Sequence, residues 1–223
     1  MGATALIPGP GIDPSQLPLL LKRHDATLIA AAPGVFRKLL GLGTPLSLPK
    51  LRHGFSAGEK LSETIRNTWR DRTGTELYEA YGMSECSTFI SAAPSRPAPA
   101  SALGFAQTGR RLAILGPDGP VPIGEEGTIA VHQTDPGLML EYLGAQDAMA
   151  ERMQGEWFLT GDQASMAEDG AISFLGRNDD MMNAGGYRVS PMEVEAVLNA
   201  QPQIEQAAVT DIEVKQDARL IMA

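Results

Sequence analysis

One cysteine, Cys86, stands in a chain of 223 residues. A lone cysteine excludes an internal disulfide and any cysteine-rich metal site, and it fits a reducing compartment. Histidine is also scarce, at three residues. His24, His53 and His132 lie far apart and lack metal-ligand spacing, which favours separate structural roles. Positive charge is thin: Lys plus Arg is 18 against 27 for Asp plus Glu, a net charge of −9. Nucleic-acid binding through phosphates needs clustered Lys and Arg, so no nucleic-acid partner is expected. No apolar run is long enough to span a membrane, because Pro33 and Gly34 interrupt the best one at 28–36. The opening Met1-Gly2-Ala3-Thr4-Ala5-Leu6 lacks the charged start of a signal peptide, and Leu6 stands where a myristoylation motif needs Ser or Thr. Cytoplasmic localisation without export is the expectation. What is present suffices for a packed core: 43% hydrophobic and 20% charged residues, in a length suited to one large domain or two small ones.

Strand and helix signals alternate over the first part. Asp13 can cap a helix with Pro14 at its first position and Gln16 closing a capping box; Leu17, Leu20, Leu21 and His24 then share a face. A short buried strand is predicted at 27–32. A helix should open at Pro33 and stop at Gly41, and another strand is predicted at 51–55. Ser62 should start a helix carrying Ile65 and Trp69 and ending at Gly74, followed by a strand at 76–81. Such alternation argues for an α/β layer. The proline-rich 94–99 is a loop or linker. Short apolar runs at 111–115, 128–132 and 171–175, separated by Gly/Pro/Asp turns, predict a small antiparallel sheet or barrel interrupted by one helix at 147–153. Further on, Ser190-Pro191-Met192-Glu193 reads as a capping box before a helix with Val194, Val197 and Leu198 on its apolar face. Strands around 207–214 and 220–223 follow.

Gly54-Phe55-Ser56-Ala57-Gly58 spells the nucleophile elbow of α/β-hydrolases, which would make Ser56 a nucleophile. Against it stand the polar stretch 49–53, unsuited to a central buried strand, the lack of an upstream oxyanion segment, and only His132 downstream as a base. Met149, Met153, Met166, Met181 and Met182 read as core filling rather than a soft-metal site.

Three segments carry more chemistry. Tyr78-Glu79-Ala80-Tyr81-Gly82-Met83-Ser84-Glu85 ends a predicted strand with an aromatic ring, a glycine, a hydroxyl and a carboxylate. That set suits stacking on a base, close approach to phosphate and a hold on Mg²⁺. In Trp157-Phe158-Leu159-Thr160-Gly161-Asp162, an Asp after a tight Gly turn suits two sugar hydroxyls. The long run from Gly176 to Glu195 sets Arg177 and Arg188 about the pair Gly185-Gly186, which suits anion binding beside a mobile backbone.

In this order the three segments resemble the adenylate-forming superfamily, which includes acyl-CoA synthetases, firefly luciferase and peptide-synthetase adenylation domains. The resemblance spans nearly the whole chain. It implies a mixed α/β fold: part of an α/β layer over 1–100, a distorted antiparallel β-barrel subdomain over 101–177, and the hinge and start of a small α+β C-terminal lid domain over 178–223. It also implies ATP, Mg²⁺ and CoA: a carboxylic acid attacks the α-phosphate of ATP, pyrophosphate leaves, and a thiol then takes the acyl group. By the family pattern, Ser56-Ala57-Gly58-Glu59 borders adenine, so Ser56 is not a nucleophile. Tyr81 stacks on adenine beside Gly82. Ser84 meets the α-phosphate, and Glu85 holds Mg²⁺. Asp162 accepts the ribose hydroxyls with Arg177 beside it, and Arg188 contacts phosphate oxygens. Asp179 matches the hinge, and Gly185 and Gly186 line the tunnel for the thiol.

Met181-Met182-Asn183 after the hinge looks more like the acetyl, medium-chain and aryl acyl-CoA synthetases than like peptide synthetases. Gly82 sits where acetate enzymes place a Trp, implying a carboxylic acid larger than acetate. The family's Gly-rich phosphate loop ending in Lys has no counterpart here. Lys22, Lys38, Lys50, Lys60 and Lys215 all lie elsewhere, and the family's C-terminal catalytic Lys is also missing. The expectation is therefore a truncated ligase, inactive by itself, with exposed apolar surface that favours a homodimer. The alternatives are a non-catalytic remnant that binds AMP or a partner subunit, and the Ser56 hydrolase.

Overall fold

A computed structural model describes residues 2–43, 45–99, 102–178, 180–184, 187–204, 206–215 and 218–223, with all side chains in helices and strands except those of 146, 183, 184, 187, 188, 213–215, 218 and 219. The chain divides into two compact units, Met1–Gly82 with Ser91–Pro97 and Met83–Ile90 with Ala98–Ala223.

In the first unit a 3-10 turn, Pro14–Gln16, leads into α1 (Leu17–Arg23), β1 (Leu28–Ala31), α2 (Pro33–Leu40), β2 (His53–Ser56), α3 (Glu63–Thr73) and β3 (Glu76–Met83). The strands run parallel in the order β1-β2-β3. Their helices start and stop where the side chains dictate. Asp13 accepts from Ser15 N at 2.9 Å. Ser62 accepts from Ile65 N at 3.3 Å, and Gly74 ends α3 with φ +68°, a conformation that favours glycine. Gln16 closes no capping box. The helices bury one face against the sheet. Phe36, Leu39, Trp69, Leu77 and Ile29 form the core, with Phe36 edge-on to Trp69 at 5.1 Å. β1 is less buried than its apolar sequence suggests, since only Ile29 is sequestered and Leu28 is 43% exposed. β2 pairs on both sides despite the polar residues before it, because only His53–Ser56 enter the sheet and Gly54 packs under Leu77 and Ile29.

The second unit holds β4 (Ser87–Ser91), β5 (Phe105–Ala106), β6 (Leu112–Gly116), β7 (Gly119–Pro120), β8 (Glu126–His132), α4 (Gln146–Glu151), β9 (Met153–Gln154), β10 (Trp157–Met166) and β11 (Ile172–Arg177). Most of these build an antiparallel, curled half-barrel sheet, β11-β10-β8-β6-β7, with β9 against β10. The expectation of a turn at Gly161 is corrected. Residues 157–166 are one continuous strand, the longest among the described residues, with alternating burial. Gly161, at φ +86°, sits where the register shifts against β8, so the strand bulges there instead of ending.

Next come β12 (Met182–Ala184), β13 (Tyr187–Val189), α5 (Pro191–Asn199), β14 (Thr210–Lys215) and β15 (Ala218–Met222), two hairpins around a helix. The capping box at Ser190 does not form: its hydroxyl donates to Leu175 O on β11 at 2.8 Å, tying α5 to the half-barrel instead. The expected apolar face of α5 is not buried, and Val197 is 66% exposed. Of the five methionines expected in the core, only Met182 is buried. Among the described residues no helix is long and apolar enough to cross a membrane.

Candidate nucleotide site

In the first unit the loop after β2 and the end of β3 leave the same edge of the sheet. Ser56 ends β2 and is the register partner of Glu79 on β3, which runs on to Met83 past the carboxyl end of β2, where α/β sheets place ligands. Gly58 and Glu59 follow Ser56 and are exposed; Gly58 has φ +94°. Tyr81 is half-buried and Gly82 exposed. Glu79 fixes the far end of the loop: one carboxylate oxygen accepts from Leu61 N at 2.9 Å and the other from Arg66 Nη2 at 3.0 Å. Ser56 itself is fully buried, and its hydroxyl has no hydrogen-bond partner among the described residues. A nucleophile needs access and a base. Ser56 has neither, and His53 on the same strand is edge-on to Phe55 and Tyr78.

Burial, the largest influence, raises the Glu79 pKa above its ordinary value; the Leu61 amide and the charges of Arg66 and Lys60 oppose this but do not cancel it. The folded unit thus holds this proton more tightly than the unfolded chain. Its contribution favours folding at acidic pH and is lost as pH rises through the raised value. Glu79→Gln is expected to flatten that slope. Urea unfolding over weakly acidic pH, read from Trp69 in a Trp157→Phe background, checks it; an unchanged slope would refute it.

In the second unit Ser84 and Glu85 sit in a tight turn closed by Cys86 N donating to Met83 O at 3.1 Å. Ser84 is exposed and Glu85 half-buried. The turn is pinned from outside. Met139 N donates to Glu85 O at 2.7 Å, and Arg110 donates to Cys86 O at 2.6 Å and Thr88 O at 2.7 Å. Asp135 fixes Arg110 through Nε at 2.9 and 3.2 Å and Nη2 at 2.9 Å. The Glu85 carboxylate accepts from the Tyr142 hydroxyl at 2.9 Å through Oε1. Cys86 is chemically quiet, because burial, with help from Glu85, pushes its thiol up to about 12.

Asp162 lies in the β10 bulge, 7% exposed, opposite Arg177 on β11. Arg177 Nη1 stands 3.8 Å from Asp162 Oδ1. Asn178 N donates to Gly161 O at 2.8 Å, and Gln163 Nε2 donates to Asn178 Oδ1 at 2.7 Å, so the chain is held against β10 immediately beyond Arg177. Asp179, Gly185 and Gly186 lie outside the described residues. Arg188 is on β13 opposite Asn183, and its side chain is also outside the description.

Among the described residues no group of three His, Cys, Asp or Glu side chains is placed to hold a metal ion. Mg²⁺ at a nucleotide needs only one or two protein carboxylates beside phosphate and water. Glu85 fits: its carboxylate is partly exposed, with one oxygen engaged by Tyr142. Tyr142, Arg110, Asp135 and Met139 escape sequence reading. The one hint is a tyrosine between leucines in a Gly-flanked loop, 137–144.

The family described as AMP-binding enzyme matches residues 1–143. Mitochondrial acyl-coenzyme A synthetase ACSM5 of Homo sapiens is 34% identical over 205 residues, covering 90% of this chain and 35% of the relative. Mitochondrial acyl-coenzyme A synthetase ACSM1 of Mus musculus is 35% identical over 221 residues, covering 96% of this chain and 38% of the relative. The chain thus spans little more than a third of the length of these relatives. Among solved structures, the anthranilate CoA ligase AuaEII in complex with anthranoyl-AMP superposes with a TM-score of 0.81 at 30% identity, over 93% of this chain and 40% of that one. ATP-bound MatB from Rhodopseudomonas palustris gives 0.80 at 26% identity, over 90% of this chain and 40% of that one. The chain belongs to the AMP-binding enzyme family, whose members similar to it include acyl-CoA synthetases.

Proposed function

We propose that the chain carries the adenosine- and metal-holding part of an AMP-forming acid–CoA ligase. The observation that carries this reading is its likeness, over 93% of its length, to a CoA ligase bound to an acyl-adenylate. In the reaction a substrate carboxylate attacks the α-phosphate of ATP and pyrophosphate leaves. The thiol of CoA then attacks the acyl carbon, with AMP as leaving group. In this chain Tyr81 stacks on adenine, with the loop Ser56–Glu59 bordering it and Gly82 leaving space beside it. Asp162, with Arg177 across the strand, accepts from the ribose hydroxyls. Ser84 donates to the α-phosphate, Glu85 holds Mg²⁺, and Arg188 contacts phosphate oxygens as charge builds on them. Mg²⁺ supplies charge neutralisation at the phosphates. Asp179 is the hinge, and Gly185 and Gly186 leave room for the thiol.

Calorimetric titration of the chain with AMP and with a non-hydrolysable acyl-AMP analogue tests this. The expected result is binding of both, tighter for the analogue; binding of neither would overturn it. ATP–pyrophosphate exchange then separates an enzyme from a non-catalytic binder.

Gly82, exposed and without a side chain, argues for a large acyl pocket. In a CoA-ligase assay on an intact enzyme carrying these residues, butyrate or benzoate is expected to be used at least ~10-fold better than acetate, the scale of a few methylenes in an apolar pocket. A preference for acetate would refute the larger pocket.

A further inference from the structure

A glutamate on an exposed turn samples many rotamers, and fixing one is costly without a partner. Around Glu85 the structure supplies partners at two levels. The backbone is held through Glu85 O, Cys86 O and Thr88 O, by Met139 N and Arg110. Asp135, which locks Arg110, is itself held by Arg111 N at 2.6 Å and Gly137 N at 2.8 Å. Among the described residues the carboxylate accepts one hydrogen bond, from the Tyr142 hydroxyl to Oε1 at 2.9 Å, and none is seen at Oε2.

The loop bearing Tyr142 is oriented against its own hydrophobicity. Leu140 is 95% exposed and Leu143 97% exposed, while Tyr142 between them is tucked in. Apolar burial would turn the leucines inward. Polar contacts hold the loop instead: Met139 N to Glu85 O, Leu138 N to Asp135 O at 3.2 Å, and the Tyr142 hydroxyl to the Glu85 carboxylate.

We infer that Tyr142 is a positioning residue: it occupies Glu85 Oε1, so that Oε2 alone faces the divalent cation accompanying the nucleotide. The inference rests on the function proposed above. Monodentate binding suits Mg²⁺, which keeps several waters and tolerates little departure from octahedral geometry. Groups that orient metal ligands typically change metal affinity 10- to 100-fold when removed.

The test uses the chain with Mn²⁺ as the probe, its uptake in the presence of ATP read from water-proton relaxation. Tyr142→Phe keeps the ring and loses the donor. It is expected to weaken Mn²⁺ uptake about tenfold, while AMP affinity in EDTA stays unchanged. Glu85→Gln is expected to abolish the uptake. If Glu85→Gln abolishes it and Tyr142→Phe does not weaken it, the inference is wrong and the functional reading stands. If the unchanged chain takes up no Mn²⁺ with ATP, or Glu85→Gln has no effect, the functional reading falls and takes the inference with it. If Tyr142→Phe weakens AMP binding in EDTA as much as Mn²⁺ uptake, its role is general packing and the inference is overturned.

Discussion

Arg110→Met is expected to cost the second unit about 3–5 kcal/mol, the usual penalty for leaving one partner of a buried ion pair behind. The Arg110 side chain is 10% exposed and the Asp135 side chain 0%. Arg110 also serves two backbone carbonyls, Cys86 O and Thr88 O, and lies 5.6 Å from the centroid of the Phe89 ring. Methionine fills much of the volume but donates nothing, so a buried carboxylate and two carbonyls lose their donor together. Lysine should rescue poorly, since one ammonium lacks the planar fork that reaches three acceptors. Arg110→Met with Asp135→Leu should recover only part of the loss: no orphan charge remains, but Arg111 N and Gly137 N lose their acceptor. Burial alone would raise the Asp135 pKa, but hydrogen bonds from Arg110, Arg111 N and Gly137 N outweigh it and hold it below the usual carboxylate value. Its stabilisation is therefore fully present above the ordinary carboxylate range and is lost as pH falls through the lowered value. Arg110→Met should remove most of that acid-side loss. Amide exchange in β4, β6 and β8 under urea measures the change. A loss under about 1 kcal/mol would mean the pair carries no more than a surface contact.

Sequence reading succeeded where the controlling groups are neighbours along the chain. α2 and α3 were legible because Pro33, Gly41, Ser62 and Gly74 mark their ends. The roles expected of Glu85, Tyr81 and Asp162 rest on motif position alone; the structure places Tyr81 and Asp162 on strands and Glu85 in a pinned turn. What was not legible depends on partners far away in sequence. Gly161-Asp162 reads as a turn until β8 and β11 flank it, after which a bulge costs less than ending the strand. Ser190 has every local mark of a cap, yet Leu175 O, 15 residues away, takes its hydroxyl. The Tyr142 contact to Glu85 spans 57 residues, and no short pattern announces it.

The second unit contains another Asp–Arg pair, and its geometry implies the opposite response. Arg177 stands 3.8 Å from Asp162, beyond hydrogen-bond reach, and the Arg177 side chain is 43% exposed. A pair at that separation, with its arginine partly exposed, contributes less to folding than the Arg110–Asp135 pair. If Asp162 accepts from a ribose diol, two hydrogen bonds to a charged group are at stake, each on the scale of about 1.5–3 kcal/mol. Asp162→Ala should therefore weaken AMP binding by at least ~100-fold, since every 1.4 kcal/mol is tenfold, while costing less folding stability than Arg110→Met. Asp162→Asn keeps the shape and one acceptor and should fall between. Calorimetric titration with AMP and urea unfolding of the same samples read the two quantities separately. Unaltered AMP affinity in Asp162→Ala would remove the ribose role. A stability loss as large as that of Arg110→Met would show that this pair, too, is architecture, leaving the bulge at Gly161 without a ligand to explain it.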